Sequence, residues 1–307
     1  MSDRSLSRGD ALRLGAVILI WGLNFVVMKQ GLKGLSPMLL GALRFVVAAL
    51  PVFFVARPAL PMRYIVGYGL AQGLGQFGLL FLGLRLGMPA GMASLVIQTQ
   101  AFFTLLIGMV LLGERSRGGQ WLGLAVALAG LILIACAHGD GPGQMSLIGF
   151  VLTVGAAFMW ASANVLGRVA AHVNDYEPFN FIVWTSVVPI LPFFALATLL
   201  DGFDTVLMQL RGIDGAALLA VLYLGLLSTL MAYSLWTKLL KRHPAAKVAP
   251  WSLLVPVVGL SAAALAFGEE LVPLQWAGGV AVLMGLVINQ AGAWFRKPSS
   301  PSKPPAS

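Results

Sequence analysis

Apolar residues run along this chain in blocks of about twenty, the length of helix that crosses the hydrocarbon core of a bilayer. Ten blocks can be marked, at residues 11–30, 36–55, 64–85, 89–112, 119–137, 146–168, 179–199, 214–240, 245–268 and 273–294. They break at Ser36-Pro37, Arg57-Pro58, Gly87-Met88-Pro89, Gly139-Asp140-Gly141-Pro142 and His243-Pro244, where turn-forming residues end helices. The pattern predicts an all-α integral membrane protein with ten transmembrane helices. Residues 1–10 read as a cytoplasmic N-terminus, 138–145 as a linker, and the Pro/Ser-rich 295–307 as a disordered cytoplasmic tail. The first block follows Arg4, Arg8 and Arg13, as a secretory leader would, but it holds Trp21, Asn24 and Lys29 and has no small-x-small cleavage site. It reads as an uncleaved first span.

Composition sharpens this picture. Of 307 residues, 59% are hydrophobic and only 10% charged, against about 25% charged in a soluble domain. Such a surface suits lipid better than water. The net charge of +9 raises nucleic acid as a partner, but no basic patch is interleaved with aromatics, so the bilayer is the better explanation. The basic residues sort by side. Arg57, Arg63, Arg115, Arg117, Arg168, Lys238, Lys241, Arg242 and Lys247 fall with the N-terminal arginines and the tail; Lys29, Lys33, Arg85 and Arg211 fall opposite. The positive-inside rule then places both termini in the cytoplasm. The single cysteine, Cys136, lies in an apolar run and is expected to be a small packing residue. It can form no intrachain disulfide, and no Cys/His cluster calls for a metal.

One stretch occurs twice. "GERSRGGQWLGLAVALAG" fills 113–130 and "GEELVPLQWAGGVAVLMG" fills 268–285, with Gly-Glu, Gln-Trp and two later glycines at matching offsets. Trp21 with Lys29 answers Trp160 with Arg168, and Pro37 with Pro51 answers Pro178 with Pro192. The expected domains are therefore two five-helix repeats, 11–137 and 146–294. Because five is odd, the second enters the membrane from the opposite side. Such inverted repeats characterise many secondary transporters, where a site between the halves opens alternately to each side.

The residues also carry a family resemblance. "WGLNFVVMK", "LRF" and the two Gly-Glu stretches resemble the EamA family of the drug/metabolite transporter superfamily over nearly the whole chain. "FFVARP", "GYGL", "GMPAGMASLVIQTQAFFT" and "APWSLLVPVVGL" resemble the members that export O-acetylserine and cysteine. The resemblance implies a ten-helix bacterial inner-membrane exporter of such small amino-acid metabolites, with no cofactor and no enzymatic activity. A broader amino-acid or drug exporter is the alternative within transport. An ion channel and a membrane-embedded enzyme are the alternatives outside it. No HExxH, nucleophile elbow or P-loop appears, which counts against an enzyme and against ATP hydrolysis. Nothing in the pattern points to a particular oligomeric state.

Candidate site residues are the polar groups inside the blocks. Arg44 is the one charge near the middle of a block. At mid-membrane it costs at least ~2.5–3.5 kcal/mol and should face a cavity or a partner. A substrate carboxylate suits its donor fork; anchoring on neighbouring carbonyls is the alternative. No Asp, Glu or His sits mid-block, so an ordinary proton relay is disfavoured. Uncharged polar and aromatic residues gather in blocks 1, 3, 4, 6, 8 and 9: Trp21 and Asn24, Gln72 and Gln76, Gln98 near Ser94, Trp160 and Asn164, Tyr233 and Trp236, and Ser252. Helical spacing puts the pairs on shared faces. Together they suit a small zwitterion, since amides hold ammonium and carboxylate and indole faces attract an ammonium. For each residue the alternative is helix–helix hydrogen bonding, worth ~0.6 kcal/mol on average. Gln100 is a weaker candidate, about 200° round the helix from Gln98. Trp121 and Trp276 read as interface anchors. Pro250 and Pro256 are expected to break the ninth helix.

Overall fold

Three helices begin where a short polar side chain takes up an end N–H. Ser7 Oγ accepts from the Asp10 N–H, Ser146 Oγ from Gly149, and Asp214 Oδ1 from Ala217. Gly113 and Gly268 stand at helix C-caps with φ of 65° and 63°, the left-handed region that glycine enters without penalty. They are the glycines of the repeated Gly-Glu, so the motif opens on a helix stop.

The protein is described by a computed structural model over residues 7–113, 118–139, 144–243 and 248–294. In chain order the helices are α1 (Arg8–Gly31), α2 (Pro37–Phe53), α3 (Met62–Arg85), α4 (Ala90–Leu112), α5 (Gly118–Cys136), α6 (Leu147–Val173), α7 (Pro178–Asp201), α8 (Phe203–Arg211), α9 (Gly215–Leu239), α10 (Trp251–Phe267) and α11 (Pro273–Trp294). Among the described residues there is no strand. Seven helices, α1, α3 to α7 and α9, are long and apolar enough to cross a membrane; α2, α10 and the apolar part of α11 are shorter.

Among the described residues five stretches depart from the α-helical repeat, the first being the 3-10 turn Leu50–Phe53 that ends α2. α3 winds as a π-helix over Gly69–Phe77 and α9 over Tyr223–Met231. A 3-10 turn interrupts α4 at Ile97–Thr99, and another, Ala249–Leu253, leads into α10. Such segments recur at functional sites.

Some expectations change. The short amphipathic α8 sits in what the apolar pattern left as a connection, because its one-sided face gives no continuous apolar block. α6 runs past the expected end at 168 to Val173. Asp10 belongs to the first turn of α1 rather than preceding it; it is buried, paired with Arg13 at 2.7 Å and His243 at 3.0 Å. Cys136 is exposed on the molecule rather than packed inside it, because the last turn of α5 turns that face away from the other helices. α10 continues unbroken through Pro256, with the irregularity confined to the preceding 3-10 turn. Expectations about Arg4, the Glu of the first Gly-Glu (Glu114), Arg115, Arg117, Asp140, Lys247 and the 295–307 tail fall outside the described residues.

The two copies of the repeated stretch pack on each other. A Cβ on Gly123 would lie 2.6 Å from the Gly285 carbonyl oxygen, and one on Gly130 2.6 Å from that of Gly278. The reverse approaches, Gly285 to Gly123 and Gly278 to Gly130, are 2.5 and 2.6 Å. The first glycine of one copy thus meets the second of the other. Only glycine permits backbones this close.

Candidate functional site

Seven helices, α1 to α4, α6, α9 and α10, contribute their irregular or polar faces to one cavity of about 500 Å³, with α7 closing its side. α1 supplies Trp21 and Asn24, α2 Arg44, and the π segment of α3 Gln76 and Phe77. The 3-10 turn of α4 supplies Gln98 and, just beyond it, Gln100. α6 supplies Trp160 and Asn164, α9 Ser228, Tyr233 and Trp236, and the start of α10 Ser252.

Arg44 is fully buried. Its Nε donates to Thr229 Oγ1 at 3.1 Å and its Nη2 to Ser228 Oγ at 3.5 Å. Its guanidinium lies 3.7 Å from the centre of the Phe77 ring, a cation–π contact that offsets part of its desolvation. Its Nη1 has no hydrogen-bond partner. Anchoring and an open donor are thus combined in one side chain: two nitrogens are held and one is left over.

The aromatic residues form a corner beside it. Trp21 meets Tyr233 edge-on at 5.1 Å and Trp236 at 5.5 Å between ring centres. Trp21 Nε1 donates to the Ser228 carbonyl at 3.3 Å, and Gln72 Nε2 donates to Tyr233 Oη at 2.7 Å. On the other side Gln98 Nε2 donates to the Ser252 carbonyl at 3.1 Å, and Asn164 Nδ2 to Gln100 Oε1 at 2.8 Å.

The two ends differ. Thr237 and Tyr176 line the mouth, beside the end of α1 that holds Leu14 and Asp10. Burial first, and Asp175 second, push the Tyr176 phenol above its ordinary pKa, so it is neutral at the mouth. At the other end Phe25 and Leu80 form the floor. Beyond them Met28, Phe81, Leu84, Met88 and Met92 are packed solid. Past this plug Lys29 Nζ pairs with Glu269 Oε1 at 2.6 Å. The same carboxylate accepts the Ala90 and Gly91 N–H groups at 2.9 Å each, tying α1, the start of α4 and the α10–α11 connection together.

Sequence reasoning placed ten of its eleven candidates around this cavity; Gln72 is the exception. It lines a separate small pocket behind Tyr233. It lies on the π-helical stretch that also carries Gln76, and its Nε2 is taken up by the Tyr233 hydroxyl. Gln100 moves the other way. A 3-10 turn has about three residues per turn, so two residues stand about 120° apart rather than 160°, and both Gln98 and Gln100 reach the cavity. Ser228 and Thr229 were missed. A Ser-Thr pair inside an apolar block, on a chain with one buried arginine, was the available signal.

A chain of this hydropathy, helical throughout its regular elements among the described residues, is a multi-pass membrane protein by architecture, and comparison with known proteins gives the family. The profile of the EamA-like transporter family matches residues 8–136 and 147–290, and the chain belongs to that family. It is 42% identical over 294 residues to a probable amino-acid metabolite efflux pump of Escherichia coli K12, covering 95% of this chain and 98% of that one. The Salmonella typhimurium protein of the same name is equally similar. A probable terminal-alkyne amino-acid exporter of Streptantibioticus cattleyicolor is 28% identical, covering 92% of this chain and 94% of its own. A solved crystal structure at 21% identity superposes with a TM-score of 0.64 over 97% of this chain and all of its own, a likeness of fold.

Proposed function

We propose that this protein exports small amino-acid metabolites, O-acetylserine and cysteine among them, across a bacterial inner membrane by alternating access. The carrying observation is the cavity: buried, closed at one end, and holding an arginine nitrogen with no partner of its own. A zwitterion's carboxylate suits that nitrogen. The names of the relatives point to amino-acid metabolites as a class, and the quoted resemblance narrows them.

In this reading ten helices cross the membrane as two inverted five-helix repeats, residues 11–137 and 146–294, with both termini cytoplasmic. Support comes from the reciprocal glycine packing of α5 on α11 and from the two Gly-Glu helix stops. Four of the five irregular turns also fall in pairs, π in α3 and α9, 3-10 in α4 and at the start of α10. The mouth beside Tyr176 then opens to the cytoplasm, and the Lys29–Glu269 end is sealed toward the outside. The substrate contacts are Arg44, Trp21, Asn24, Gln76, Gln98, Trp160, Asn164, Tyr233, Trp236 and Ser252, with Gln72 supporting Tyr233.

The test is counterflow. Proteoliposomes loaded with unlabelled O-acetylserine or cysteine should take up the labelled compound faster than empty ones and saturate with concentration. Non-saturating flux, or none above protein-free vesicles, sinks the proposal; single-file conductance in planar bilayers would replace it with a channel.

A further inference from the structure

The buried polar atoms left unpaired around the cavity form a set. Arg44 keeps a donor, Nη1, while Asn24 Oδ1 and Gln76 Oε1 are acceptors with nothing to accept; Gln72 Oε1, behind Tyr233, is a further acceptor. Each of these side chains is more than nine-tenths buried. A buried unpaired polar atom costs ~1–3 kcal/mol, so a site that keeps several is incomplete without its ligand.

Their neighbours bring them together. Arg44 and Trp21 meet at Ser228, one on its hydroxyl and the other on its carbonyl. Asn24 stands one turn along α1 from Trp21. Gln76 precedes Phe77, whose ring lies under the guanidinium. One cation is therefore flanked by amides, which offer oxygen or nitrogen according to how they turn. Among the described lining residues the carboxylate is Asp175, at the mouth beside Tyr176. At depth the cavity carries one positive charge and neutral acceptors. Phe25, Leu80, Ile97 and Val255 make part of the remaining inner wall apolar, and across from them Gln98 is engaged with the Ser252 carbonyl and Asn164 with Gln100 Oε1.

We infer that this site reads the head of an α-amino acid and not its side chain: a free carboxylate on Arg44, a free ammonium on Asn24 and Gln76. Both groups of an α-amino acid hang on one carbon, which matches the juxtaposition of cation and amides. The inference rests on the proposed transport function and adds a specificity rule to it. Small amino acids with different side chains bind alike; those with a blocked head do not.

The test is ligand titration of the purified full chain in detergent, read by quenching of the cavity tryptophans. Serine, alanine, cysteine and O-acetylserine should bind within about fivefold of one another. O-acetylserine methyl ester and N-acetylserine should each bind at least about tenfold more weakly, a difference of ~1.4 kcal/mol. Arg44→Lys should narrow the acid–ester gap alone. Asn24→Leu combined with Gln76→Leu should narrow the amine–amide gap alone. An ester or N-acyl compound that binds as well as the free acid overturns the inference, as does a wide spread among free amino acids or a variant that closes both gaps together. If Arg44→Lys does not fold, the wild-type series and the Asn24/Gln76 variant decide it. Absence of binding by every free amino acid, together with absence of counterflow, defeats the transport reading itself; binding without discrimination of the head defeats only this inference.

Discussion

Where α5 meets α11, backbone touches backbone: carbonyl oxygens sit 2.5–2.6 Å from the places where glycine lacks a Cβ. Where α1, α2, α3 and α9 meet, the helices are held apart by Trp21, Arg44, Phe77 and Tyr233, and the space between them stays open. One helical bundle thus holds a close-packed seam and an open cavity, made by different helices, and the difference lies in side-chain size and helix regularity. α5 and α11 are regular α-helices throughout. The helices around the cavity carry the π and 3-10 segments, which free backbone carbonyls such as those of Ser228 and Ser252 for side-chain donors. Rigid packing and an adaptable site are therefore segregated, as expected if the seam holds while the cavity changes shape.

The largest effect should come from filling the seam. Gly123→Leu places a branched side chain against the Gly285 carbonyl and should cost ~3 kcal/mol, the upper end of the usual overpacking range. The monodisperse peak in size-exclusion chromatography should largely vanish, whereas Gln76→Leu in the cavity should preserve it. A normal profile for Gly123→Leu would mean that the seam is not closely packed.

Next comes Arg44→Lys. A point charge cannot reproduce the guanidinium fork that grips Thr229 and Ser228 while presenting Nη1. O-acetylserine counterflow should fall about tenfold or more, with the loss in affinity exceeding the loss in stability. Normal affinity in protein with a lowered melting temperature would make Arg44 an anchor and remove it from the site.

A smaller effect is expected at the sealed end. Glu269→Gln removes the charge paired with Lys29 while keeping an oxygen for one backbone N–H. It should destabilise the protein by ~1–3 kcal/mol. It should also raise labelling, from the Lys29 side, of a cysteine introduced at Met28 in a Cys136→Ala background. Unchanged labelling would show that the apolar plug alone closes that end.

The smallest effect, none, is expected from a proton gradient. Among the described lining residues the titratable acid is Asp175, at the mouth, and no histidine is present. With equal substrate on both sides of the liposome, an imposed pH gradient should drive no accumulation. Protein-dependent accumulation abolished by collapsing the gradient would show coupling, and would direct attention to Asp175 and to helix-end acids such as Asp214.

The sequence by itself determined the solvent and the period of the chain. Long apolar blocks can be satisfied only as helices in lipid, and the doubled Gly-Glu and Gln-Trp stretch marked a repeat within the chain. It also brought most of the cavity's polar residues into view, because a polar group in an apolar block must face something other than lipid. The phase of the helices was not legible. Periodicity assumes 3.6 residues per turn, and the 3-10 turn at Ile97–Thr99 breaks that assumption, which is why Gln100 turned in. Partners distant in sequence were also out of reach. Arg44 found Ser228 and Thr229, and Glu269 found Lys29, Ala90 and Gly91, because hydrogen bonds between helices depend on how the bundle closes, and only the tertiary structure decides that.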